Sequence, residues 1–177
     1  YLTAVTNVDD VLVEIIDVEK VLEMGTGPQV HVSEGIVDQS HHEGGMLRRV
    51  LIADDSSVAR KQMMRVLEKI GVEFVVANDG REALNILKEW ADAGVLNDQI
   101  SMVISDIEMP EMDGYTLTAE IRADSRLSDL YVVLHSSLTG VFNQSMVEKV
   151  GANRFLPKFN SDELAEVVLD RMRGGGA

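Results

Sequence analysis

Acidic residues stand directly after two short apolar runs of this sequence. Asp54 and Asp55 follow the run VLIA, and Asp106 follows the run MVIS. Three carboxylates brought together would repel one another and hold protons unless a cation sat among them. A site of hard oxygen donors, with neither histidine nor cysteine, favours Mg²⁺ with waters completing its octahedron. The pattern therefore predicts a magnesium site, provided that folding places the two runs side by side.

Two further apolar runs end in residues that suit phosphate chemistry. The run VVLH is followed by Ser136 and Ser137, and the run FLP is followed by Lys158. In phosphoryl transfer, metal and ammonium groups neutralise the charge on the equatorial oxygens during in-line attack, and a carboxylate nucleophile can form an acyl phosphate. Polar residues at strand ends are common in α/β folds, so the hypothesis of a phosphoryl-accepting site depends on all four strand ends together.

Short apolar runs alternate with longer amphipathic segments from Arg48 onward, and three of these segments stop at a glycine, namely Gly71, Gly94 and Gly151. Strands that are apolar on both faces and separated by helices predict a parallel sheet covered on both sides. In such sheets functional residues lie beyond the carboxyl ends of the strands, where the strand order reverses. The predicted fold class is therefore α/β, a doubly wound sheet of five strands alternating with five helices. The predicted strands are 50–53, 74–77, 102–104, 132–134 and 155–156, and the predicted helices are 59–70, 83–91, 115–122, 142–150 and a last helix that opens at Asn160 or Ser161 and ends near Arg173.

The chain divides into four parts by composition. Residues 1–24 predict a small β-hairpin with a turn at Asp9-Asp10, followed by a short helix, which is too little chain to bury a core. Residues 25–46 are rich in Gly, His and Ser without a sustained period and predict a linker. The α/β domain occupies 47–173, and 174–177 is a flexible tail. The linker histidines are expected to be solvated rather than to bind a metal; they are His31, His41 and His42.

Composition restricts the partners. The net charge of −14 repels nucleic acid and anionic lipid surfaces. No apolar run approaches the ~20 residues that cross a bilayer, no signal peptide opens the chain, and the lack of cysteine suits a reducing compartment. We expect a cytoplasmic protein with no nucleic-acid partner and no direct membrane insertion. A first residue of Tyr1 rather than methionine suggests a piece cut from a longer protein.

Four motifs, in order, resemble the response-regulator receiver family, of which the bacterial chemotaxis receivers are the simplest members. These motifs are the DD pair of VLIADDSS, the segment SDIEMPEMDG, the HSS after strand four and the PKF after strand five. The resemblance covers residues 48 to about 172. It implies a flavodoxin-like sheet of order 2-1-3-4-5 and a phosphoacceptor domain that catalyses only its own phosphorylation and dephosphorylation.

The same resemblance implies a role for each acidic residue. Asp106 is the expected phosphoacceptor, and Asp55 and Asp106 supply carboxylate ligands to Mg²⁺. Asp54 would hold the metal through water, and Glu108 would offer its backbone carbonyl.

The remaining roles fall on strands four and five. By the resemblance, Ser136 would hydrogen-bond the phosphoryl group, Lys158 would form an ion pair with it, and Ser136 and Phe155 would be the switch positions. Plain core packing is an equal alternative for Phe155, which lacks a phenolic oxygen. The family usually has proline directly after this lysine, whereas Pro157 precedes Lys158 here, which leaves the loop geometry open.

Residues 2–22, LTAVTNVDDVLVEIIDVEKVL, resemble the closing strands and helix of a CheW-type coupling domain. A coupling domain followed by a receiver is the arrangement of CheV-type adaptors, which the whole chain resembles. A generic hairpin and helix from another domain is the alternative. Because the missing domain would cover the strand edges of this fragment, we expect it to be disordered or to pair with another copy.

The resemblance implies a two-component chemotaxis adaptor. Its receiver would take phosphate from a chemotaxis histidine kinase and alter the coupling of that kinase to the chemoreceptor array, or act as a phosphate sink. Three alternatives stay open: a receiver cut from a DNA-binding response regulator, an adaptor with a silent receiver, and an aspartyl-phosphate hydrolase. Such hydrolases generally place a second Asp two residues after the nucleophile, and that position here is Glu108.

Overall fold

The chain was analysed as a computed structural model, which describes residues 2–8, 11–16, 30–40, 49–137, 141–158 and 160–174. The N-terminal part forms the predicted hairpin, in which β1 (Leu2–Val8) pairs antiparallel with β2 (Val11–Ile16). This two-stranded sheet is separate from the main sheet. The helix predicted after the hairpin lies outside the described residues.

The main sheet is parallel and has five strands. They are β3 (Arg49–Ala53), β4 (Phe74–Ala77), β5 (Ile100–Asp106), β6 (Tyr131–Ser136) and β7 (Arg154–Pro157), and the order across the sheet is β4-β3-β5-β6-β7. This arrangement confirms the predicted order 2-1-3-4-5. The order reverses at β3 and β5, which are the two strands that end in acidic residues.

Helices cover both faces of this sheet. Their bounds are α1 (Glu34–Ser40), α2 (Ser57–Lys69), α3 (Gly80–Asp92), α4 (Leu96–Gln99), α5 (Gly114–Ala123), α6 (Val141–Val150) and α7 (Ser161–Met172). On one face α2 packs beside α7, with α1 against α7, and on the other face α3 packs beside α5. The one-turn helix α4 was not predicted, because four residues are too few to show a helical period. None of the helices in the described ranges has the length and apolarity that a membrane span requires.

The alternation of side chains along each strand divides the core in two. Val50 and Ile52 of β3 join the apolar cluster under α2 and α7, while Leu51 and Ala53 join the cluster under α3 and α5. All seven residues of β5 are buried, as expected for a central strand covered on both faces. Packing on both faces fixes the strands relative to one another, so the polar residues at their carboxyl ends lie side by side.

Side-chain caps begin the helices next to the carboxyl edge of the sheet. Ser56, Asp79, Asp113 and Asn160 cap α2, α3, α5 and α7, each accepting a hydrogen bond from the backbone N–H three residues later. Such a cap satisfies an N–H that the helix leaves unpaired. Of the two residues predicted to open the last helix, Asn160 is the cap.

The segment predicted as a linker contains structure. Within residues 25–46, the described residues 30–40 include helix α1, and Val32 is only 5% exposed within the core cluster under α2 and α7. Local sequence did not reveal this, because these apolar residues find their partners on the α/β domain rather than in their own segment. His31 is exposed, whereas the other two linker histidines lie outside the described residues. The predicted domain bounds themselves stay a prediction.

Candidate functional site

Parallel register places the functional side chains at one edge of the sheet. Ala53 of β3 pairs with Ser105 of β5, so that Asp54 and Asp106 follow at the same level. On the other side of β5, Asp106 pairs with His135, and Ser136 pairs with Pro157. The residues that follow these pairs, including Lys158, therefore meet where sequence analysis expected them to meet.

The ammonium of Lys158 lies between two carboxylates. Its Nζ atom is 3.0 Å from Oδ2 of Asp54 and 2.9 Å from Oδ2 of Asp106. The side chain is 11% exposed, and its backbone N–H donates to the carbonyl of Ser136 at 2.9 Å. Although Pro157 precedes Lys158 in this chain, the lysine reaches both acidic groups. A single buried cation thus offsets two buried negative charges.

Asp54 is the most deeply enclosed of the three acidic residues, with no exposed surface. Its Oδ1 accepts a hydrogen bond from the N–H of Ser56 at 2.8 Å. Burial raises the pKa of Asp54 to about 6, and the nearby charge of Asp106 adds to this rise, while Lys158 acts against it. Without a metal, Asp54 therefore takes up a proton far more readily than an ordinary aspartate.

Asp106 is held in one orientation by the loop that follows it. Its Oδ1 accepts the N–H of Ile107 at 2.7 Å, while Oδ2 faces Lys158. Gly114, at the start of α5, approaches so closely that a Cβ atom there would lie 2.1 Å from the carbonyl oxygen of Asp106. The N–H of Gly114 also donates to the carbonyl of Ile107 at 2.9 Å. Only glycine fits this approach, which presses α5 against the end of β5.

Lys158 stays charged in this setting. Burial works to lower its pKa, but the hydrogen bond from Lys158 to Asp106 and the charges of Asp54 and Asp106 outweigh burial, so the pKa lies above its ordinary value. The site therefore keeps a fixed positive charge over the physiological pH range, which is the property that phosphate recognition needs.

The three aspartates together fit a divalent cation. Asp54, Asp55 and Asp106 each offer a carboxylate oxygen, and these oxygens lie within 4.8 Å of one another. Asp55 is exposed, so water can reach the cluster and complete a coordination shell. Hard oxygen ligands with room for water suit Mg²⁺. Glu108 lies exposed in the loop after β5, and the role predicted for its carbonyl stays a prediction.

The two predicted switch positions differ in environment. Ser136 is the last residue of β6 and is 1% exposed. Phe155 is partly buried and packs on a small cluster formed by Ile107, Leu134 and Val147. This contact supports a packing role for Phe155, and the movement expected of either residue stays a prediction.

Sequence reasoning missed two residues beside the site. Arg60 of α2 donates from Nη1 to the backbone carbonyl of Asp54 at 2.6 Å; its position on the first turns of α2 was a usable signal. His135 is buried between Leu134 and Ser136, and burial, reinforced by the charge of Lys158, lowers its pKa to about 4. A histidine inside the apolar run VVLH was visible in the sequence, and a pKa of about 4 makes its neutral form the favoured one at pH 7.

Comparison with known proteins identifies the family of this chain. Residues 50–169 match the response regulator receiver domain. The chain belongs to this family. Two solved receivers share the fold: chemotaxis protein CheY4 of Vibrio cholerae is 29% identical with a TM-score of 0.58, covering 72% of this chain and 99% of that chain. The receiver domain of NarL from Mycobacterium tuberculosis is 28% identical with a TM-score of 0.62, covering 73% and 99%.

One of two curated relatives matches more of this chain than the receiver alone. Chemotaxis protein CheV1 of Helicobacter pylori is 29% identical over 167 residues, which cover 90% of this chain and 49% of that protein. Protein PilG of Pseudomonas aeruginosa is 31% identical over 121 residues, which cover 68% of this chain and 84% of that protein. The chain therefore spans about half the length of the first of these relatives.

Proposed function

We propose that this receiver accepts a phosphoryl group on Asp106 in a reaction that requires Mg²⁺. The observation that carries the proposal is the contact of Lys158 with both Asp54 and Asp106 at 3.0 and 2.9 Å, beside the open carboxylate of Asp55. A nucleophile, a set of metal-binding oxygens and a fixed cation then lie together at one edge of the sheet. These are the parts that phosphoryl transfer uses.

Each residue contributes a distinct part of the reaction. A carboxylate oxygen of Asp106 attacks phosphorus; the new O–P bond forms as the bond to the donor breaks, and its electron pair leaves with the donor. The N–H of Ile107 and the close approach of α5 hold the Asp106 carboxylate for in-line attack. Lys158 offsets the charge that develops on the equatorial oxygens. Asp55 and Asp106 would hold Mg²⁺ through their carboxylates and Asp54 would hold it through water, and the metal supplies further charge neutralisation when bound.

We also propose that the chain acts in chemotaxis signalling, with a histidine kinase as phosphodonor. The alignment to the Helicobacter pylori protein named CheV1 covers 167 residues and so extends well beyond the matched receiver at 50–169. It supports an adaptor in which 1–24 closes a CheW-like coupling domain, 25–46 links the domains and 47–173 is the receiver. The receiver would then modulate coupling of the kinase to a chemoreceptor array, or drain phosphate.

Intact mass spectrometry tests the proposal. The chain is treated with acetyl phosphate, with and without Mg²⁺, beside the variant Asp106→Asn. We expect a mass increase of one phosphoryl group only in the parent chain with Mg²⁺. Equal labelling of the variant would show that Asp106 is not the acceptor. Sustained release of phosphate from small esters, rather than one stoichiometric label, would favour a hydrolase.

A further inference from the structure

The segment before the receiver is docked on it. We call residues 30–40 the clasp; it consists of residues 30–33, which form no regular secondary structure, and helix α1. Val32 is 5% exposed and belongs to the apolar cluster that also contains Leu67 of α2 and Leu164 of α7. Burying this apolar side chain favours the docked arrangement. The clasp therefore has a defined seat on the surface formed by α2 and α7.

Polar contacts fix the position of the clasp. The backbone N–H and the hydroxyl of Ser33 donate to the two carboxylate oxygens of Asp162, at 2.9 and 2.6 Å. The carbonyl of Ser33 accepts the N–H groups of Ile36 and Val37, which begins α1 at this point. Lys69 of α2 donates to the carbonyl of Val30. The two-point contact at Asp162 has a defined geometry, unlike a single flexible ion pair.

The anchor lies a few residues from the acid site. Asp162 is in the first turn of α7, Asn160 caps this helix, and Lys158 stands just before the cap. The backbone of Lys158 is itself bonded to Ser136 at 2.9 Å. Lys158 and the carboxylate that holds the clasp are therefore close to each other along the chain.

We propose that the α2–α7 surface is an intramolecular docking surface for the clasp, and that phosphorylation of Asp106 loosens the clasp. This inference rests on the proposed function. The Nζ atom of Lys158 occupies the space between Asp54 and Asp106, where a phosphoryl group on Asp106 and its metal must be accommodated. In this proposal Lys158 shifts to make room for them, and the shift reaches Asp162 through the start of α7. Two hydrogen bonds of 2.9 and 2.6 Å to Asp162 cannot both persist if that carboxylate moves by much more than a few tenths of an ångström.

The occupant of this surface is the chain's own clasp rather than a second protein. Residues 41–48 connect α1 to β3, and so short a tether keeps the clasp at a high effective concentration beside its seat. The clasp also stands between the hairpin and the receiver in the chain. Loosening the clasp would release the residues before it, including the hairpin, from the receiver. The acid site would then control how firmly the clasp holds these residues to the receiver.

Amide hydrogen exchange on the whole chain, read by mass spectrometry, tests this coupling. Three conditions are compared: no addition, Mg²⁺ alone, and Mg²⁺ with acetyl phosphate, with intact mass recorded on the same samples. We expect the clasp amides to exchange about tenfold faster in phosphorylated chains than in unmodified ones, within the range of typical coupling between sites. The variants Ser33→Ala and Asp162→Asn should speed this exchange before labelling and reduce the further change on labelling.

Asp98→Asn is the matched control, because Asp98 is an exposed aspartate on α4, which packs against α3 rather than lying beside the clasp. It should behave as the parent chain does. If it speeds clasp exchange as much as Asp162→Asn does, the anchoring role of Asp162 is wrong. Phosphorylated chains with unchanged clasp exchange would overturn this inference and leave the phosphoacceptor proposal standing. A chain that takes no phosphoryl group would overturn both.

Discussion

At the scale of single residues, the acid site carries its own counterion. Lys158 compensates the charges of Asp54 and Asp106 in the absence of metal. Under the proposed function, the same residue stabilises the resting site and also recognises the phosphoryl group. This double role makes the site's stability, as well as its reactivity, depend on Lys158.

Replacing the ammonium by an apolar group of similar length should expose this dependence. We expect Lys158→Met to lower the free energy of unfolding by about 3 kcal/mol above pH 7, because it leaves two buried carboxylates without a cation. Adding Mg²⁺ should restore most of this loss, since the metal supplies positive charge, whereas labelling by acetyl phosphate should stay slow. Denaturant titration with and without Mg²⁺ measures the effect. Lys149→Met, at an exposed position on α6, is the control, and an equal loss there would contradict the explanation.

The pKa of Asp54 gives a second prediction. Since burial raises this pKa from 3.8 to about 6 in the folded state, the protonated form favours folding. Its contribution is complete below pH 3.8 and is lost as the pH rises through about 6. We expect the metal-free chain, compared with Asp54→Asn, to lose up to about 3 kcal/mol of stability between pH 4 and pH 7.

Unfolding measurements across this pH range, made on both chains, give the difference directly. Mg²⁺ should bind more weakly below about pH 6, because protons compete for the same carboxylate. A difference between the two chains that does not vary with pH would mean that Asp54 titrates as an exposed aspartate does.

At the scale of elements, strand β5 and helix α5 are joined by a tight approach. The loop between them carries Asp106 at its start and Gly114 at its end, and the two meet at the Asp106 carbonyl. Glu111 within this loop adopts a left-handed conformation, with φ of 60°, which is uncommon for a residue other than glycine. Asp106 is thus positioned by a closely packed loop as well as by its strand.

A methyl group at Gly114 should separate the two elements. We expect Gly114→Ala to destabilise the fold by about 3 kcal/mol, the upper part of the range for overpacking, and to slow labelling of Asp106 because the loop can no longer hold the carboxylate. Thermal unfolding and the acetyl phosphate assay measure the two effects. In contrast, Gly35→Ala in α1 meets no atom within 4 Å and should leave both unchanged or slightly improve stability. Near-normal labelling of Gly114→Ala would show that α5 can move without slowing the reaction of Asp106 with acetyl phosphate.

At the scale of the whole molecule, the chain combines a five-stranded receiver with a separate two-stranded hairpin. A hairpin alone is marginally stable in water, and its outer edges can pair with other strands. The clasp lies between these parts and is seated on the receiver. The stability of the hairpin therefore depends on pairing partners for its outer strand edges, which the receiver sheet does not provide.

We expect self-association through the hairpin. Light scattering over a range of concentrations should show dimers or larger species for the whole chain, and a shortened chain that begins at residue 25 should stay monomeric. The physical reason is the pairing of open strand edges between copies. A monomer at every concentration, or equal association of the shortened chain, would contradict this expectation.

Much of the receiver could be predicted before any coordinates were known. The alternation of apolar strands and amphipathic helices is a local property, and it predicted all five strands and the surrounding long helices. The strand-end residues Asp54, Asp55, Asp106 and Lys158 also stood in recognisable motifs. Because parallel strands place their carboxyl ends at one edge, their meeting followed from the order of the sheet, which the family resemblance supplied.

Other features arise from contacts between segments that are distant in the sequence. The docking of Val32 and Ser33 on α2 and α7 was hidden in a segment that looked like a linker, because its partners lie about 40 residues away on α2 and about 130 residues away on α7. The hydrogen bond from Arg60 to Asp54 and the raised pKa of Asp54 arise from burial. Local patterns describe how a segment folds onto itself, so the sequence determined the elements and their chemistry. The tertiary structure alone decided the clasp, the bridging position of Lys158 and the protonation of the site, since these depend on distances between distant parts of the chain.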